Sequence, residues 1–376
     1  MKSDDYFEFE NCPLKHFVRI HGWLPAGRRR LKHLQSQRKS RRLRYFTFCA
    51  AGAIDVLMLD IANIVRRSTS GKFDSVVFFD KNPEAVNETQ KNIPGSNGFP
   101  ADFTSLVLAT DPEEDNLLDA AAVDEWNVSE PDTRENRLKQ NLLRQRRRFM
   151  GLFPFDIVNL DLEEYLLKPK EDFPGRVLQA VRKILRWQQR SLDDGTGLSE
   201  WSLMYTTQIG PPNLTERYLA LLGSAISKNL NKFPDLRQTF VGRTGVSDAA
   251  SLLENSFEEF FRIALPKLLV GEILAHDWYV NPDHGVQIYE FDRPSKSGPY
   301  KMLHLVIDIK RQDPPNHKRG TFDEPDGVEE AYAVVVNRIF SEKEMIVRPD
   351  SGEVEKLEKS LDKIRARRRK YRGDIA

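Results

Sequence analysis

Two cysteines, Cys12 and Cys49, are all that 376 residues carry. So few exclude a disulfide framework and any zinc module built from several cysteines. The seven histidines show no metal-ligand spacing, and no metal site is expected. A run of about eighteen apolar residues, long enough to cross a bilayer, is missing. So is an apolar stretch of the leader type in the first thirty residues. These absences point to a soluble, cytoplasmic chain with no membrane partner. There is almost no net charge, +1 at neutral pH, so bulk charge selects no partner.

What the chain does carry is charge in blocks. Arg28 to Arg44 holds nine Lys/Arg and no acid, whereas Asp111 to Glu135 holds ten acids and one basic residue. Residues 137–148 and 363–372 are basic again. Such blocks either neutralise one another as solvated faces or form a surface that follows the phosphates of RNA or DNA. Charged arms of this kind also suit a protein partner.

At Arg44 the composition turns apolar. "RYFTFCAAGAIDVLMLDIANIVRR" reads as a strand to about Cys49 and a helix from Ala53. "FDSVVFFD" is a continuous apolar run, as in a strand buried on both faces. "PEAVNETQKNI" reads as a helix, with Pro83 in the first turn where a missing N–H costs nothing. "GFPADFTSLVL" offers a short strand and a helix start. Residues 109–136 are acidic and poor in apolar side chains, and with the charged helix after them they form an insertion over 109–150. "FDIVNLD" and "WSLMYTTQIGPP" are two more strands. Between them, apolar residues at 177, 178, 181, 184 and 185 mark one face of a helix. "GVQIYEFDRP" and "YKMLHLVIDIKR" form an antiparallel hairpin. Alternation of this kind predicts an α/β fold, doubly wound, with a mostly parallel seven-stranded sheet and a closing antiparallel hairpin. The expected parts are an N-terminal segment with a basic arm (1–44), a central domain (45–312) and a C-terminal extension with a charged helix (313–376).

Open parallel sheets bind ligands beyond the carboxyl ends of their strands. The residues there are Ala50, Ala51, Gly52 and Ala53 after the first strand, and Asp80 after the second. Ala101, Asp102 and Phe103 follow the third, and Asn159, Leu160 and Asp161 the fourth. This succession resembles the class I S-adenosylmethionine-dependent methyltransferases. "FCAAGAIDVLML" takes the place of a glycine-rich first motif, here divergent, with Gly52 its remaining glycine. "VVFFDKNPEAVNETQKNI" is similar to the family's second strand and helix, "ADF" to its third-strand motif and "FDIVNLD" to its fourth. The resemblance spans roughly residues 45–311, and the Asp80 turn is its most specific part.

The resemblance implies S-adenosylmethionine as cofactor. Asp80, with Lys81 and Asn82 in its turn, would accept from the ribose hydroxyls, as a carboxylate can from a diol. Asp102 and Phe103 would address the adenine, and Ala50, Gly52 and Asn159 would line the methionine end. Asp161 would lie beside the transferred methyl as the catalytic residue. The implied activity is methyl transfer, onto a nucleic acid if the basic segments carry substrate. Two other readings stand beside it. A methyltransferase fold with an eroded first motif can serve as a non-catalytic adaptor. Separately, Asp283, Asp308 and Lys310 resemble the PD-(D/E)xK nuclease signature, in which two carboxylates and a lysine hold Mg²⁺ and activate water.

Overall fold

The computed structural model describes residues 12–37, 39–49, 52–109, 134–162, 166, 175–190, 197–209, 216–281, 283–293, 298–311, 328–341 and 344–373. Helix α1 (Pro13–Val18) passes through a π turn at Arg19–Trp23 into α2 (Leu24–Ser36). Strand β1 (Tyr45–Thr47), helix α3 (Ile54–Ile61), β2 (Val76–Asp80), α4 (Pro83–Asn92), β3 (Asn97–Pro100) and α5 (Phe103–Leu108) then alternate. Next come α6 (Arg134–Met150), β4 (Ile157–Asp161), α7 (Arg176–Trp187) and β5 (Glu200–Ile209). Helices α8 (Glu216–Lys232), α9 (Pro234–Thr244), α10 (Ala249–Asn255) and α11 (Phe257–Leu274) precede β6 (Trp278–Val280), β7 (Val286–Arg293) and β8 (Tyr300–Arg311). The described chain ends with α12 (Val328–Phe340), β9 (Glu344–Ile346) and α13 (Ser351–Arg372).

The nine strands among the described residues join one sheet in the order β3-β2-β1-β4-β5-β8-β7-β9, with β6 paired to β8. Strands β1 to β5 are mutually parallel. Their order is that of doubly wound sheets, with the topological switch point between β1 and β4. The sheet therefore has nine strands and not seven. The two extra ones, β6 and β9, are three residues each, too short to show a period in the sequence. The β7–β8 hairpin is antiparallel as expected. Strand β8 inserts between β5 and β7 and runs against both, and the outer β9 is parallel to β7.

Alternation along each strand separates two cores. Tyr45, Val76, Phe78, Ile157, Met204 and Val306 face a cluster with Trp23, Leu34, Leu57 and Leu361. Phe46, Val77, Val158, Leu203 and Ile307 face the other, larger cluster under α7 and α11. Helix α7 shows why its sequence is helical. Val177, Leu178, Val181, Ile184 and Leu185 are all buried on one side, each contributing about 1.5–3 kcal/mol on leaving water.

Both flanking segments pack on this sheet. Trp23 and Leu34 of the N-terminal helices belong to the first core, and Val334, Val335 and Ile339 of α12 to the second. Helix α13 starts with a capping box on Asp350 and Glu353. It is tied down by the Tyr371 hydroxyl, which donates to Asp60 Oδ2 at 2.5 Å. No helix among the described residues is long and apolar enough to cross a membrane.

Candidate functional site

Register places two acids at the switch point. Thr47 is level with Phe78 and, by continuation of the β1–β4 pairing, with Asn159. Two residues on, Asp80 and Asp161 stand at one level, on one face, flanking the end of β1. Two strand spacings separate them by about 10 Å. Asp80 is half-buried. One of its oxygens accepts the Asn82 amide at 2.8 Å, and the other has no partner among the described residues. Burial pushes its pKa up, against the pull of that amide and of Lys81.

Beneath β1 lies a buried polar web. The hydroxyls of Tyr45 and Thr47 donate to Asp55 Oδ2 at 2.9 and 2.6 Å. Asn159 Nδ2 donates to Tyr45 at 2.9 Å. Asn159 Oδ1 is buried with no partner among the described residues, and so is Asp161 Oδ1. Buried acceptors left unpaired are expensive, so two on one strand end mark a place for a donor. The other oxygen of Asp161 binds Lys15 Nζ at 2.6 Å, with both side chains buried. Burial alone would raise the Asp161 pKa, but Lys15, Arg19 and Arg293 together bring it below the usual carboxylate value.

A row runs from Asp161 across the sheet to Thr206, His304 and Tyr289. Trp23 Nε1 donates to His304 Nε2 at 2.9 Å. This leaves the ring proton on Nδ1, which donates to Thr206 Oγ1 at 2.9 Å. Gly22 makes the approach close: a Cβ there would stand 3.2 Å from Tyr289 and 3.3 Å from His304. The π turn brings Lys15 and Trp23, eight residues apart, onto the same row. Lys15 carried no signal in the sequence, because its partner is almost 150 residues away. Thr206 and His304 could be read only once β8 was known to pair with β5.

Other expected residues have local duties. Asp102 caps α5, accepting from the Ser105 amide and the Thr104 hydroxyl at 2.8 Å each. Those bonds hold its pKa down despite partial burial. Phe103 is a core residue and not an open platform: it is 4 % exposed and its ring meets Phe48 at 4.9 Å and Phe79 at 5.6 Å. Asn82 caps α4, accepting from the Glu84 amide. Lys81 is exposed and Gly52 buried; Ala50 lies outside the described residues.

The nuclease constellation does not assemble. Asp308 is fully buried, receives Arg29 Nε at 2.6 Å and the Ser202 hydroxyl, and lies 3.8 Å from Arg30. A carboxylate so neutralised has nothing left for Mg²⁺. Lys310 is partly exposed beyond it, and Asp283 sits in the turn where its amide donates to Asn281. Among the described residues no cluster of three His, Cys, Asp or Glu is placed to hold a metal.

Several arginines of two basic blocks are likewise spent internally. In 28–44, Arg30 pairs with Glu200, Arg41 with Asp156 and Arg42 with Asp74, while Arg29 holds Asp308. In 363–372, Arg372 reaches Glu88 and Arg365 reaches Asp362.

Residues 11–271 match the profile of the PP_RS20740-like family. The match covers more than half of the chain, so the chain belongs to that family. It includes Lys15, Asp80, Asn159 and Asp161. No curated protein and no solved structure matches.

Proposed function

We propose that the chain is an S-adenosylmethionine-dependent methyltransferase with its site at the carboxyl edge of β1, β2 and β4. The observation that carries the reading is Asp80: a half-buried carboxylate at the switch point, with one oxygen fixed by its own turn and the other open. The residues present fit the cofactor. Asp80 suits a ribose diol, and the unpartnered oxygens of Asn159 and Asp161 suit the ammonium of a methionine group. When bound, the cofactor supplies an electrophilic methyl group on a sulfonium, so the chain's part is mainly positioning. Asp161, kept ionised by Lys15, orients donors and is a weak base. A reducing cytosol fits Cys12 and Cys49, which form no disulfide.

Calorimetry with S-adenosylmethionine and S-adenosylhomocysteine tests this. Native protein binds both; Asp80→Ala loses two charge-assisted hydrogen bonds and weakens binding about 100-fold, with an unchanged melting profile. Absence of binding by either ligand to the native chain would sink the enzyme. The reading would then pass to the adaptor, which one observation favours: Ala53 occupies a left-handed backbone position, φ 48°, where a cofactor-binding loop would use glycine.

A further inference from the structure

We propose that α6 and α7 together form the surface along which the phosphodiester backbone of a nucleic acid lies. The inference names the acceptor class for the proposed methyl transfer and rests on that reading for its purpose, though binding itself is independent of it. Both helices run from the carboxyl edge of the sheet to its amino edge, one leading into β4 and the other leading out of it. Their C-terminal ends meet: Trp187 lies 5.9 Å from Phe149 and under the Arg146 guanidinium at 5.5 Å. At the carboxyl edge, Arg176 opens α7 and donates to Ser105 at 3.3 Å, beside the Asp102 cap. The joint face therefore ends near the strand tips that carry Asp80 and Asp161.

That face is basic: Arg182 of α7 is answered by Glu272 of α11 at 2.7 Å, but five of its exposed cations are not answered among the described residues. Lys139, Arg144 and Arg148 on α6, Arg186 on α7 and Arg190 just beyond are all exposed. None pairs with an acid among the described residues. Arg148 donates to the Asn97 side chain at 3.2 Å, and Arg190 to the Met150 carbonyl at 2.8 Å. Both partners are neutral and leave the charge in place. Helix α7 contains no Asp or Glu. In the other basic blocks, by contrast, Arg30, Arg41, Arg42 and Arg372 are bound to Glu200, Asp156, Asp74 and Glu88. A bilayer is a poorer fit. Gln140, Asn141 and Gln145 lie between the α6 cations, and Leu138 is the one large apolar residue exposed on that helix among the described residues, too little to insert. Arginines predominate, as suits phosphate oxygens.

The test is fluorescence anisotropy with a labelled RNA strand and a DNA duplex of about twenty units each, at about 50 mM salt, where phosphate contacts are strongest. S-adenosylmethionine is left out, so failure here and failure of cofactor binding are separate results. The native chain is expected to bind at least one of the two oligonucleotides; which one binds more tightly identifies the source of the backbone. The double variant Arg144→Glu with Arg186→Glu weakens binding at least about tenfold. It also flattens the slope of log affinity against log salt by about 0.7–0.9 for each phosphate no longer neutralised. Lys363→Glu with Lys370→Glu, exposed on α13, changes it less than about twofold. Melting curves check that each variant is folded, and Arg144→Gln with Arg186→Gln replaces the reversal if it is not. No binding to either oligonucleotide at low salt, equal weakening in the α13 variant, or binding only to phosphatidylserine vesicles would each overturn the proposal.

Discussion

Ala53 holds φ 48° and ψ 34° at the start of α3, a conformation that costs an L-residue roughly 1–2 kcal/mol. Glycine adopts it freely. Removing the buried methyl costs about 0.8 kcal/mol, so Ala53→Gly is expected to raise stability by about 0.2–1.2 kcal/mol. A urea midpoint that falls would show that packing of the methyl outweighs the strain. The sequence exposed this position only as a gap in the glycine motif. Asp80 was easier to read, because an acid closing an apolar run has few reasons to be there. Asp102 was harder. An aspartate three residues before Ser105 is also a helix cap, and only the coordinates separate the cap from a ligand contact.

Helix α1 is held to the sheet by Phe17 and Val18, which pack with Tyr289, Phe291 and Met302, and by a buried ion pair, Lys15 with Asp161. Breaking such a pair from one side leaves a buried charge uncompensated and costs about 3–5 kcal/mol. Lys15→Met and Asp161→Asn should therefore each lower stability by several kcal/mol. The double variant should cost less than the sum of the two, with a coupling of at least about 1 kcal/mol in a denaturant cycle. Strict additivity would mean that the pair is not formed in solution. Among the elements, β1 to β5, α4, α7 and the β7–β8 hairpin were legible from period and turn residues. The strands β6 and β9 were not, and neither was the place of β8. A strand's neighbours are set by long-range pairing, which local pattern does not encode.

Across the whole molecule, burial keeps two histidines neutral. His16 and His304 are fully buried, and burial drives each down to about 3 from an ordinary 6.5, with Arg19 adding to the effect at His16. For His304 the nearby Asp161 pulls upward and Lys15 downward. As pH falls below 6.5 the unfolded chain takes up two protons that the folded chain refuses until about pH 3. Stability is thus fully present above 6.5 and declines below it, by up to about 2.7 kcal/mol per pH unit for the two together. Urea midpoints between about pH 7 and 5, above the carboxylate range, measure this. The His16 ring has no hydrogen-bond partner among the described residues, so His16→Phe should remove about half of the slope. A flat profile would contradict the burial of both rings.

Composition and alternation by themselves determined the α/β class, the parallel core of the sheet and the strand ends at which Asp80 and Asp161 lie, because period and strand-end chemistry are local properties. Only the tertiary structure decided which charges are spent. It set Arg29 and Arg30 on Asp308, Lys15 on Asp161 and Phe103 in the core, and among the described residues it left Arg144, Arg186 and Arg190 without an acid partner. The reason is physical: whether a side chain is neutralised depends on groups a hundred or more residues away, brought within a few ångströms by the fold.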